Sequence, residues 1–292
     1  MVNFELAILK SALMNAIEKI LQSLNFSQSN ILSQSNSFVP YLYIDGHRSS
    51  GISDNDVECY KSGIDFFLRF SSVMKELGFK EMVTMVYTKR NKAVAGRVYA
   101  IQKAIQEGLD FSNKTVADSK FKIYGDLDEY LNNGSRSFYD YLINVVDKTT
   151  QNKNFTHHIL INYSEEWAIS NLAAIYNLPK ISSVIRFTKG FVSGGWIPLK
   201  MQETTFVYSQ IPSISEFWSN EAIAALILIT FKNWSLMQGY IGKKVYSFEE
   251  RNQIHEKRDY ELSYNTVNLP IYSKSHNRII VFDLHGPVIY EF

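Results

Sequence analysis

Val39-Pro40-Tyr41-Leu42-Tyr43-Ile44-Asp45-Gly46-His47-Arg48 is the stretch on which the reading of this chain turns. Apolar side chains at Val39, Leu42 and Ile44 in a short run of large residues predict a buried strand over 38–44. Asp45-Gly46 then ends it in a sharp turn. A carboxylate placed directly after a buried strand sits where open α/β sheets bind their ligands, at the carboxyl ends of the strands.

Working toward the N-terminus, Leu6, Leu9, Leu13, Ile17, Leu21 and Leu24 fall close to a helical stripe and predict an amphipathic helix over 4–24. Residues 27–37 are rich in Ser, Asn and Gln and read as a linker, able to lay that helix on a partner subunit or over a ligand entrance. Toward the C-terminus, a helix is predicted over 57–77, stopped by Gly78, and strands over 81–87, 120–124, 158–163, 184–187 and 203–208. Helices are predicted between them over 92–109, 128–147 (interrupted by Asn132-Asn133-Gly134-Ser135) and 167–176, and a long apolar one over 216–240. Strands alternating with helices predict an α/β fold, a single parallel-sheet domain flanked by helices on both faces. Asp45, Asn91, Asp126 and Arg186 all follow predicted strands and so share the ligand-binding edge. From residue 247 charged and polar residues accumulate, and 278–283 with 287–292 read as a β-hairpin around Leu284-His285-Gly286. The expected organisation is therefore 1–37 (helix and linker), 38–246 (the α/β domain) and 247–292 (a C-terminal extension).

Thirty basic residues against 29 acidic ones leave no overall field to draw the protein to nucleic acid or an anionic membrane, so an anionic ligand would need a local cluster of charge. The longest apolar run, 222–230, is about half of the ~20 residues needed to cross a bilayer, and a soluble chain is expected. Residues 1–26 carry Glu5, Lys10, Glu18 and Lys19 among their apolar positions, unlike a secretory signal. Cys59 stands alone, so no intramolecular disulfide is possible and a cytoplasmic location is expected. Nineteen Phe and 18 Tyr suit the walls of an apolar ligand tunnel or the shielding of a carbocation, although composition alone favours a rich core and a dimer interface. No zinc spacing, Walker loop or Gly-x-Ser-x-Gly elbow occurs, and His157 and His158, adjacent on a strand, point to opposite faces.

The strand ending in Asp45-Gly46-His47-Arg48 resembles the first motif of the cis-prenyltransferases, the undecaprenyl diphosphate synthase family, and further landmarks follow in that family's order. Tyr60-Lys61-Ser62-Gly63 resembles the start of its first core helix, and the run from Leu77 through Lys89-Arg90-Asn91 the strand that delivers its catalytic Asn. Phe121 to Asp126 resembles its Gly-Asp strand end, Leu160-Ile161-Asn162-Tyr163 its Asn-Tyr, Val184-Ile185-Arg186 its Ile-Arg, and Glu203 with Phe206 its late metal-binding Glu and aromatic follower. The resemblance spans 38–240.

It implies a transferase that uses Mg2+ to expel diphosphate from an allylic prenyl diphosphate, and a homodimer. By its motifs, Asp45 and Asn91 are the catalytic pair, and Gly46, His47, Arg48, Arg90, Arg186, Lys189 and Ser193 are substrate-binding. Asp45 and Glu203 would hold the metal, and Lys89 would add positive charge. Gly194-Gly195 could present main-chain N–H groups to phosphate. Each residue also has a plainer reading: Asp45 as a turn cap, Asn91 as a turn residue, Lys89-Arg90 as a solvated pair, Gly194-Gly195 as loop, His47 as structural. The departures are pointed. Arg48 is followed by Ser49-Ser50 where the family has a second Arg, and Asn91 by Lys92-Ala93-Val94 without its Trp and Arg-Pro. Ser164-Glu165-Glu166 replaces Gly-Gly-Arg, and the Arg/Ser-rich motif after Arg186 is largely lost. The segment between Tyr163 and Arg186 is also short for the family. A short, branched or cyclised product is therefore expected, with two rival readings: a terpene synthase using one allylic diphosphate, and a catalytically silent partner subunit.

Overall fold

The computed structural model describes residues 2–47, 51–93, 96–111, 113–132, 135–188, 195–241, 247–249, 265–270, 277–283 and 286–292. In chain order the elements are α1 Val2–Ser23, α2 Gln28–Gln34, β1 Pro40–Tyr43, α3 Asp56–Glu76 and β2 Glu81–Thr88. After a 3₁₀ turn, Lys89–Ala93, come α4 Arg97–Gly108, α5 Lys114–Ala117, β3 Lys120–Tyr124, α6 Asp128–Asn132, α7 Arg136–Thr149 and β4 Thr156–Tyr163. Then follow α8 Glu165–Ser170, α9 Leu172–Tyr176, β5 Ser183–Phe187, β6 Thr205–Ser209, α10 Asn220–Ile241, β7 Asn265–Asn268, β8 Arg278–Asp283 and β9 Gly286–Glu291.

The nine strands among the described residues form one mixed sheet in the order β3-β4-β2-β1-β5-β6-β8-β9-β7. The first six are parallel neighbours, as the alternating pattern predicts. The predicted C-terminal hairpin is present as β8–β9, and β8 pairs antiparallel with β6, which continues the main sheet.

The sheet is apolar on both faces because strand residues alternate. On β1 and its flanks, Phe38, Leu42 and Ile44 join the larger core with α1, α3, α4, α7 and α10, whereas Val39 and Tyr41 face a smaller cluster under α8 and α9. α10, buried at every residue from Ala222 to Phe231, is the central helix of the larger layer and carries α1 on it. α3 begins where Asn55 Oδ1 accepts the Val57 N–H at 2.9 Å and ends at Gly78 in the left-handed region (φ 87°).

Three expectations need correction. Residues 28–34 of the supposed linker form α2, because Ile31 is drawn into the core and Ser235 bonds Gln34 at 2.9 Å. The helix expected from residue 92 starts only at Arg97, after the 3₁₀ turn that carries Asn91. β7, a polar segment with Val267 as its sole apolar residue, was not expected as a strand.

Candidate active site

Strand order positions the site. β1 connects toward β2 on one side and β5 toward β6 on the other, so a crevice opens above the carboxyl ends of β1 and β5. A cavity of ≈ 470 Å³ lies there, lined by the ends of β1, β2, β4 and β5, by Arg97 and Ile101 of α4 and by Tyr60 of α3.

Asp45 enters it on a turn clamped from both sides. Ser213 Oγ accepts the Asp45 N–H at 2.9 Å, and the Ser213 hydroxyl and N–H lie 3.0 and 3.1 Å from the Asp45 carbonyl oxygen as donors. Asp45 Oδ1 accepts the Gly46 N–H at 2.8 Å. Gly46 must be glycine: its φ is +90°, and a Cβ would lie 2.6 Å from Thr188 Cγ2 and 2.9 Å from Pro212 Cβ. His47 is buried beside the Tyr60 ring at 5.3 Å, with Nε2 3.3 Å from Ser213 Oγ. Gly63 leaves room for it, since a Cβ there would overlap His47 Nε2. Burial pushes the imidazole pKa down to about 4 against the pull of Asp45, so His47 is neutral near pH 7.

Beyond β2, Asn91 Oδ1 accepts both the N–H and the hydroxyl of Thr88, at 3.0 and 2.9 Å, which leaves the carboxamide nitrogen as the donor it can present. Arg90 lines the cavity and is exposed, while Lys89 is ion-paired with Asp126 at 2.5 Å. Asn162 ties that corner together by donating to the Asp126 carbonyl oxygen (2.7 Å) and to Glu129 (2.9 Å), and Glu129 pairs with Lys92. Arg186, at the end of β5, places its guanidinium 4.4 Å from the centre of the Tyr43 ring. Asp45, Gly46, His47, Arg90, Asn91 and Arg186 therefore all line one cavity.

Glu203 does not join them. It precedes β6 and pairs with Lys180 at 2.8 Å. Thr205, Ser183 and Pro40 are in register at the starts of β6, β5 and β1, so Glu203 lies at the opposite edge of the sheet from Asp45. With about 3.3 Å of rise per strand residue, the two carboxylates cannot share a metal within this chain. Arg48, Lys189 and Ser193 lie outside the described residues.

Two contributors were not anticipated. Arg97 lines the cavity, and its Nε is buried with no hydrogen bond among the described residues. Glu165 lines it too, accepting the N–H groups of Gly195 and Trp196. Arg97 follows Gly96 at the head of a helix, and Glu165 stands two residues after the end of β4; attention to strand ends alone would have found the second.

No protein-family model and no curated protein sequence matches the chain. Solved structures do. Lavandulyl diphosphate synthase from Lavandula x intermedia, in complex with dimethylallyl diphosphate, superposes with a TM-score of 0.54 and 16% identity over 68% of this chain and 96% of that one. A probable undecaprenyl diphosphate synthase from Campylobacter jejuni superposes with a TM-score of 0.52 and 13% identity, over 67% and 94%. The chain has the cis-prenyltransferase fold. It spans nearly all of both neighbours and carries about a third of its own length besides.

On this fold the crevice has a divided character. Arg90, Arg97 and Arg186 supply positive charge, Asp45, Glu165 and Glu166 negative charge, and Tyr43, Tyr60, Tyr87 and Tyr163 the aromatic walls. Burial raises the hydroxyl pKa of Tyr43, which the nearby Arg186 partly offsets, and pushes that of Tyr87 up to about 12, so both remain phenols. No group of three acidic, His or Cys side chains that could cage a metal occurs among the described residues. Asp45 is one of three carboxylates that line the cavity, a donor set that suits the other mode of magnesium binding, in which one carboxylate holds the ion and phosphate oxygens and water complete its shell.

Proposed function

We propose that the chain processes prenyl diphosphates: the allylic C–O bond breaks, diphosphate leaves with the electron pair, and an alkene captures the cation and then loses a proton. The observation that supports this most is the convergence of Asp45, Asn91, Arg90, Arg97 and Arg186 on one crevice with tyrosine-lined walls. The guanidinium groups suit a diphosphate, which they bind through charge-assisted hydrogen bonds. Asn91 is placed to donate from its carboxamide nitrogen without altering the charge. The Tyr43, Tyr60 and Tyr87 side chains line the same cavity and supply aromatic surface suited to a carbocation. Bound magnesium, held by Asp45, would neutralise charge on the departing diphosphate. The product is short, branched or cyclised, and the working unit is a homodimer.

The test is diphosphate release and product mass from purified protein with magnesium and dimethylallyl, geranyl or farnesyl diphosphate, each with and without isopentenyl diphosphate. Release that vanishes in Asp45→Ala is the expected result. Folded protein inert toward every substrate would overturn the reading in favour of a silent partner subunit.

A further inference from the structure

Two main-chain N–H groups on one wall of the crevice are aimed at an anion, and that anion is the protein's own. Gly195 and Trp196 donate to a single carboxylate oxygen, Glu165 Oε1, at 2.8 and 3.2 Å. Their carbonyl groups are tied down separately. The Tyr41 hydroxyl donates to the Gly195 oxygen and the Tyr163 hydroxyl to the Trp196 oxygen, each at 2.7 Å. Both tyrosines are buried, and burial keeps their hydroxyls protonated and donating. Gly195 adds a left-handed φ of +76° and close packing, because a Cβ there would lie 2.6 Å from Met85 Cε and 3.0 Å from Tyr41 Oη. Two hydrogen bonds other than those to Glu165, with the left-handed backbone of Gly195, thus hold the peptide so that both N–H groups reach one oxygen, as in an anion-binding nest.

Glu165 reaches this nest from the first position of α8, which Ser164 caps by accepting the Trp167 N–H at 3.1 Å. Glu165 is one of three carboxylates that line the same cavity with Lys89 and three arginines, so any second polyanion would meet its charge as well as its hold on the nest.

We propose that Glu165 stands in, from within the chain, for a second phosphate group: the crevice takes one diphosphate ester at a time, and the group that captures the cation carries no diphosphate. The acceptor is then the substrate's own chain or an uncharged alkene. This rests on reading the crevice as a prenyl-diphosphate site.

The test counts sites by isothermal titration calorimetry of the full chain with inorganic pyrophosphate and magnesium, a probe that fills diphosphate sites whatever tail they prefer. Wild type is expected to bind one pyrophosphate per chain. Glu165→Ala, which vacates the nest, is expected to bind two. Glu203→Gln removes an equal charge at the opposite edge of the sheet, outside the crevice, and should still bind one. Two sites in wild type, or one in folded Glu165→Ala, would overturn the proposal while leaving the prenyl-diphosphate reading intact. No binding by wild type would remove that reading, and this proposal with it. Should Glu165→Ala not fold, Glu165→Ser still vacates the nest and retains a polar side chain at the start of α8, with the same two outcomes.

Discussion

Replacing His47 by Asn should flatten the dependence of stability on pH. His47 is only 7% exposed, enclosed by Tyr60, Ser213 and the bare face of Gly63. Its pKa falls from 6.5 to about 4, chiefly by desolvation and despite Asp45. The sign follows from which state takes up the proton first. As pH falls through 6.5 the unfolded chain protonates this histidine while the folded chain does not, so stability is lost, and the loss is complete only below about 4. Integrated between pH 7.5 and pH 5, the His47 contribution comes to roughly 2 kcal/mol. His157 and His158 are also buried with lowered pKa values, but they are present in both proteins and cancel in the comparison. Urea unfolding of wild type and His47→Asn at the two pH values gives four free energies. Wild type should lose about 2 kcal/mol more than the variant over that interval. An equal loss in both would refute the claim that His47 is held neutral by its surroundings.

Three further outcomes can be checked. Gly125→Ala should destabilise by about 2–4 kcal/mol in chemical denaturation, because the position has φ +138° and a Cβ would overlap the Ile161 carbonyl oxygen. Glu203→Gln should leave magnesium-dependent diphosphate release within about 2-fold of wild type, since an exposed pair such as Lys180–Glu203 contributes at most ~1 kcal/mol and lies at the far edge of the sheet. Arg97→Met should weaken pyrophosphate binding by roughly 10- to 100-fold, the worth of one charge-assisted hydrogen bond, and Lys89→Met, whose ammonium already pairs with Asp126, by far less.

Much of this arrangement was legible from residues whose chemistry depends on where a strand stops. Asp45, Asn91 and Arg186 follow strands recognisable by their apolar runs, and parallel strands deliver their ends to one edge. Glu203 was misplaced for the same reason turned around: it precedes its strand, and the beginnings of parallel strands gather at the opposite edge. α2 was missed because Ser, Asn and Gln have weak helical preference, and its helicity derives from burying Ile31, a tertiary effect invisible to local pattern. The pairing of β6 with β8 joins residues as distant as Val207 and Val281, beyond the reach of any local pattern. Ser164-Glu165-Glu166 could be seen as a lost motif, but that Glu165 turns back onto Gly195 and Trp196 depends on tyrosines from two different strands.

The sheet is covered unevenly. Among the described residues, α10, α3, α4 and α1 lie on one face with most of the large side chains, and on the other lie only the two short helices α8 and α9 over a small cluster. Cooperative opening begins where the fewest apolar contacts must separate. Amide exchange should therefore start at α8 and α9, well before β1 or α10 gives up its protons. Because α8 carries Glu165, the crevice has one wall fixed to the most protected part of the molecule and another hinged on the least protected.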